Sequence, residues 1–168
     1  LGAVSQRLRE SLQEWKTLAA CSLMVEEVRR AYERERQPEA LREASHYLEQ
    51  LTAGRYRRIW TPLGRDVLHV EDSHSQQHEV EDLSHGTREQ MFLALRMAMV
   101  SAFAARGVRL PMVLDDVFVN FDDDRTRLAA RVLIDFAARG HQLLIFTCHE
   151  HVARVFHDLH ADVRQLPS

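Results

Sequence analysis

Three short stretches carry residue types that could do chemistry together. Leu83-Ser84-His85-Gly86-Thr87-Arg88-Glu89-Gln90 places a hydroxyl and a glycine just ahead of a helical pattern. A helix N-terminus presents free amide hydrogens and a positive dipole end, so it favours an anion such as phosphate. Asp115-Asp116 closes an apolar run. Asp115 there could hold magnesium, which prefers oxygen ligands and keeps several waters, and Asp116 could polarise an attacking water. Thr147-Cys148-His149 closes a second apolar run, where the His149 imidazole could donate to a phosphate oxygen.

Each stretch alone also has a plain structural explanation. Ser84 or Thr87 could cap the helix, with Glu89 or Gln90 reaching back. The acid pair could cap a turn, with Asp122–Asp124 starting the next helix, and a histidine at a strand end is commonly a polar boundary residue. Their order and spacing raise the value of the set. One part of such a site is missing: a phosphate loop needs a glycine-rich turn ending in Lys-Ser or Lys-Thr. The only lysine is Lys16, inside a helical stretch with no glycine loop before it. The chain is therefore expected to supply half of a nucleotide site and to bind ATP poorly alone.

The elements that must position these residues follow from periodicity. Val4, Leu8, Leu12, Trp15, Leu18, Val25, Val28 and Tyr32 recur at spacings near three and four, predicting a long amphipathic helix. Ser11 and Ser22 interrupt the seam, so the pattern fits the end of a coiled-coil arm or a long surface helix. Pro38 suits a first helical turn; Leu41, Ala44, Leu48 and Leu51 mark a second helix stopped by Gly54. Tyr56 to Trp60, Val67 to Val70 and His78 to Val80 predict short strands, the last two joined by a polar hairpin loop over 71–77. A helix is expected over 87–106 with Phe92, Leu95, Met99, Ala102 and Phe103 buried, ended by Gly107. Met112–Leu114 and Gln142–Thr147 read as buried strands, joined by a helix over 123–138 that carries Leu128, Val132, Leu133 and Phe136. A short helix near 151–159 and a last strand at 162–166 complete the chain. Strand–helix–strand crossovers of this length imply a parallel sheet, with Asp115-Asp116 and His149 at its carboxyl edge.

Composition bounds the rest. The 168 residues suit one domain with a helical appendage. A formal charge of −3 argues against gripping nucleic acid over the whole surface. Cys21 and Cys148 form no Cys-x-x-Cys pattern and fit a reducing, intracellular setting. No apolar run approaches a membrane span. The first residue is Leu1 rather than Met, which suggests a piece excised from a longer polypeptide. The ten histidines show no zinc-finger spacing with cysteine, so no structural zinc site is expected.

Taken as an ordered set, these residues resemble the C-terminal lobe of an ABC-type ATPase head of the SMC-like and RecF-like branch, and within it the YhaN-like coiled-coil ATPases of bacteria. Leu83 to Gln90 looks like the ABC signature, Met112 to Asp116 like Walker B, Asn120-Phe121-Asp122 like the D-loop, and Thr147-Cys148-His149 like the switch histidine. Leu51 to Tyr56 is similar to the junction where a returning arm enters the head. The resemblance implies an α/β P-loop NTPase lobe with a parallel sheet core (38–168) after the end of a coiled-coil arm (1–37). It implies ATP and Mg2+ as cofactors: Asp115 ordering the metal, Asp116 as base, His149 sensing the γ-phosphate. Ser84, Gly86 and Gln90 would contact nucleotide from the signature, and Asn120 and Asp122 would lie at a head–head seam. Its implied partners are the N-terminal Walker A lobe of the same parent chain, a second head joined through ATP, and DNA, with room for a nuclease. A cytoplasmic, nucleoid-associated place follows from the same likeness. Asp at the base position departs from the commoner Glu, which bears on hydrolysis rate.

Two other functions compete. A transporter nucleotide-binding subunit would keep phosphate loop and signature in one compact stretch, which the long helix and hairpin before the signature disfavour. A scaffolding module that kept the fold without catalysis would use the same elements.

Overall fold

The computed structural model describes residues 2–35, 38–62, 64–65 and 67–166, with side chains described except at 2–10 and 29–35. Helix α1 runs Gly2–Glu35, 34 residues, or about 50 Å at 1.5 Å per residue. Trp15, Leu18 and Val25 on its predicted stripe are each about two-thirds exposed, so among the described residues nothing covers them. The side chains of Val4, Leu8 and Tyr32 lie outside the described residues.

Helix α2 (Glu39–Leu51) buries Ala44, Tyr47, Leu48 and Leu51, a three-and-four spacing that gives one apolar face. Pro38 stands at the N-cap, one residue before the turn expected to hold it. Gly54 adopts φ +79°, the left-handed stop that the missing Cβ permits. Strands β1 (Tyr56–Trp60), β2 (His69–Asp72) and β3 (Gln77–Glu79) form an antiparallel sheet in sequence order. The second and third strands are displaced from the expected positions. Asp72 explains the shift: its carboxylate accepts from the backbone amides of His74 and Gln76, closing the turn after residue 72. The Asp72–His78 pair (3.0 Å) then pins the register, and the hydrogen bond from His78 holds the Asp72 carboxyl down at about 2.

Periodicity assigns Phe92, Met99 and Phe103 to the buried face of helix α3 (His85–Ala105), but the helix exposes them. It buries Met91, Leu93, Ala94, Met97 and Ala98 instead. The helix is apolar around most of its circumference, so periodicity alone does not fix which face turns inward. Packing decides: α3 lies mainly against α2, and Ala94, Ala98 and Ala44 are all fully buried. Small residues let two helices approach closely, which bulky phenylalanines would prevent.

Gln90 belongs to this inner face. Its amide donates to the Leu51 carbonyl at 2.5 Å, filling an acceptor left orphaned at the end of α2. Gln90→Leu keeps the volume and removes the donor. Urea unfolding is expected to show a loss of about 1–3 kcal/mol, the typical cost of a buried unsatisfied group. A change below about 0.5 kcal/mol, the range of neutral surface substitutions, would remove this role.

Strand β4 (Met112–Asp115) pairs parallel with β5 (Leu143–Phe146), the two joined through α4 (Asp123–Ala138) as the crossover pattern requires. Met112 and Leu114 face the core with Phe136, Leu133 and Val132 of α4. Leu128 is only half-buried. Helix α5 (Glu150–Asp158) follows β5, burying Val152 and Phe156. The expected strand over 162–166 does not form; its residues are mostly exposed, and Asp162 pairs with Arg164 two positions on instead of with a neighbouring strand. Among the described residues, no helix is long and apolar enough to cross a membrane.

Candidate functional site

The parallel register sets Asp115 beside Phe146, and the Asp116 amide donates to the Phe146 carbonyl at 3.0 Å. That pairing carries Asp115, Asp116 and the Thr147–His149 segment to one edge, at the carboxyl ends of both strands, where open α/β sheets bind ligands. Asp115 is exposed. Asp116 has φ +45°, a left-handed conformation that aspartate tolerates better than most residues. The turn aims its carboxylate at the end of β5, where it accepts from the Cys148 amide (3.2 Å) and the Cys148 thiol (3.4 Å). Hydrogen bonds from the Thr147 hydroxyl first, then from the Cys148 amide, hold the Asp116 carboxyl below its ordinary range. The same contact with Asp116 pushes the Cys148 thiol up. His149 is the N-cap of α5, its amide donating to the Thr147 hydroxyl at 3.1 Å.

A second cluster surrounds the start of α3. Ser84 is its N-cap and accepts from the Thr87 amide (3.3 Å), with the two hydroxyls 2.8 Å apart. Capping is therefore a real use of Ser84. Gly86 is buried, and a Cβ there would press on the Arg125 guanidinium and stand 2.9 Å from the Asn120 carbonyl. The glycine is needed for close approach to the segment after β4. Asn120 donates through its amide to Glu89 at 2.5 Å. Asp122 caps α4, accepting from the Arg125 amide at 2.8 Å, and its carboxylate lies 3.4 Å from the Arg125 guanidinium. The stretches at 84–90 and 120–125 therefore form one interlocked unit, and residues 116–120 link it to the strand-end acids.

Of the residues singled out from sequence, Asp115, Asp116 and His149 meet at one edge, while Ser84, Gly86, Asn120 and Asp122 meet at the other cluster. Gln90 sits inside the protein against α2, its amide bonded to the Leu51 carbonyl. Glu89 and Cys148, read in the sequence as a cap partner and as part of the strand-end triplet, and Arg125, not singled out there, also contribute to the two clusters. Arg125 had a readable signal: a cation in the first turn of a helix opposes the dipole, so it needs a local reason. Its reasons are Asp122 and the α3 entrance. Next to that entrance, Arg88 Nε and Glu89 Oε2 are buried without a partner among the described residues.

The strand-end donor set fits a magnesium ion. Asp115 offers an exposed carboxylate next to Asp116 in sequence, and carboxylate oxygens are the hard ligands magnesium prefers. The sequence has no lysine near either cluster to hold a β-phosphate.

No family model matches the chain. Solved structures decide the architecture. The chain superposes on a structure described for ATP-driven dimerization and DNA stimulated activation of SMC ATPases, with TM-score 0.55, 17% identity, and coverage of 69% of this chain and 71% of that one. A Pyrococcus furiosus Smc head with an extended coiled coil, bound to the C-terminal domain of ScpA, gives 0.54 at 16% identity, covering 92% of this chain and 41% of that one. This chain has the fold of an SMC-head C-terminal lobe. The SMC-type lobe is also 34% identical over 155 residues, 90% of its length, to the uncharacterized protein YhaN of Bacillus subtilis (strain 168). It spans 16% of that relative's length.

Proposed function

We propose that this lobe supplies the signature, the metal-ordering acid and the water-positioning acid of an ATP-hydrolysing head. Residues 38–168 form the lobe and residues 1–37 the end of a coiled-coil arm. An N-terminal lobe of the same parent chain brings the phosphate loop, and two completed heads close on ATP. Ser84 and Gly86 then meet the γ-phosphate held by the opposite head, with Asn120 and Asp122 at the seam. Asp115 holds Mg2+, Asp116 orients the attacking water, and His149 donates to the γ-phosphate. Mg2+ held by Asp115 would supply positive charge to offset that of the phosphate oxygens. DNA enters as the substrate surface of such heads, and a nuclease as a further partner, by family likeness alone.

One observation carries this reading. Parallel sheets are covered on both faces, yet the outer face of β4 and β5 leaves Val113, Leu144 and Phe146 at 55%, 42% and 43% exposure. The bare face lies on the same two strands that end in Asp115, Asp116 and the Thr147–His149 segment. A covering lobe seated there would bring its own loops to that edge. The test is to mix the chain with the N-terminal lobe of its parent and measure ATP turnover. Magnesium-dependent turnover is expected from the mixture and from neither half alone. A mixture that assembles and binds ATP without turning it over would favour the scaffolding alternative and overturn the enzymatic one.

A further inference from the structure

The strand ends hold a combination that magnesium chemistry does not use. Asp116, Cys148 and His149 each present one ligand atom, and these atoms all lie within 4.8 Å of one another. One edge, Cys148 Sγ to Asp116 Oδ2, is 3.4 Å. A tetrahedral zinc ion with ligands at about 2.0–2.3 Å has ligand–ligand edges of roughly 3.3–3.8 Å. One edge already matches, and the other two lie within 4.8 Å. The ligand set is one carboxylate oxygen, one sulfur and one imidazole nitrogen. Magnesium takes oxygen, whereas sulfur and imidazole select zinc and its neighbours.

We infer that Asp116, Cys148 and His149 form a three-ligand site for zinc, with a water at the fourth position. The backbone is set for it: the left-handed turn at Asp116 points its carboxylate across to β5, and Cys148 and His149 are adjacent in sequence. Three protein ligands and one open position are the pattern of an open site and not of a closed structural one. Sequence spacing could not reveal it, because 32 positions separate Asp116 from Cys148. Zinc seated here takes both Asp116 and His149 away from nucleotide, so it switches hydrolysis off. That consequence rests on the proposed ATPase role; the binding itself does not.

The experiment uses the chain alone, without nucleotide. Zn2+ is titrated against a chromophoric chelator, and Co2+ is used as a spectroscopic stand-in. One equivalent of Zn2+ is expected to bind and to survive a large excess of Mg2+. Co2+ is expected to show thiolate-to-metal charge-transfer absorption that disappears in Cys148→Ser and persists in Cys21→Ser. His149→Ala should weaken Zn2+ at least about tenfold, since losing even an outer partner of a ligand costs 10- to 100-fold. Circular dichroism on each variant confirms that helix content is retained, and Cys148→Ala repeats the sulfur test with a second side chain. A charge-transfer band that survives loss of Cys148, no band in the native chain, or displacement of Zn2+ by Mg2+ overturns the site. In the completed head, turnover that Zn2+ leaves unchanged while the chelator titration shows binding overturns the regulatory consequence and spares the site.

Discussion

Asp116→Asn in the completed head is expected to lower ATP turnover by about 10²-fold, the scale on which a misplaced reacting group costs rate. ATP-dependent engagement of heads should survive or last longer. The substitution is close to neutral for the fold, because asparagine also tolerates the left-handed backbone seen at φ +45°. The side-chain amide oxygen introduced by the substitution can still accept from the Cys148 amide; what disappears is one carboxylate oxygen and its charge. Asp116 is held below the ordinary carboxylate range by Thr147 and Cys148, so it stays ionised and is a poor proton sink. Its stronger contribution is as a fixed acceptor that orients the water, which suits phosphoryl transfer, where positioning and electrostatics dominate. Glutamate would reach one methylene further. Asp116→Glu, if the backbone accepts it, should change turnover in a way that Asn does not. Steady-state ATPase assays on heads whose engagement is verified by sedimentation decide the matter. Turnover of the asparagine variant within about twofold of the native head would remove Asp116 from the reaction.

The motif set is legible because its parts sit where secondary structure must start or stop. Asp115 ends β4 and the polar Thr147 follows the last residue of β5, so both apolar runs can be bounded by eye. The helix between them is bounded at both ends by Asp122–Asp124 and Gly140, a cap and a left-handed stop. The phase of α3 is not legible. Phe92, Met99 and Phe103 make as good a stripe as Met91, Ala94 and Ala98, and only the fit to α2 separates them. The large residues left outside are understandable if another lobe lies against them. The strand expected at 162–166 is absent for a related reason: alternation can be written in any short polar stretch, but a strand needs a neighbour. Likewise, Gln90 reads as part of a phosphate-binding signature because it follows the glycine. Its amide is needed inside to satisfy Leu51, a long-range demand that spacing cannot show.

Ser84→Arg separates capping from contact across the seam. Ser84 does cap α3, so Ser84→Ala should cost about 1 kcal/mol of stability, the usual loss for an N-cap. If capping were its whole role, Arg and Ala would lower stability alike, and turnover would follow stability in both. Under the trans model, the exposed Ser84 position faces phosphate held by the other head. A long side chain there blocks approach, so Ser84→Arg abolishes ATP-driven engagement and turnover while each head still binds ATP through its own phosphate loop. Ser84→Ala keeps engagement, with a smaller loss. Mixing heads gives the decisive readout. A Ser84→Arg head has an intact phosphate loop, and a head with its phosphate-loop lysine removed has an intact signature. Neither turns over ATP alone, but their mixed dimer pairs one good loop with one good signature. Turnover that reappears on mixing places Ser84 opposite its partner's nucleotide. No recovery, in mixtures shown to contain both heads in one dimer, would leave Ser84 as a helix cap and nothing more.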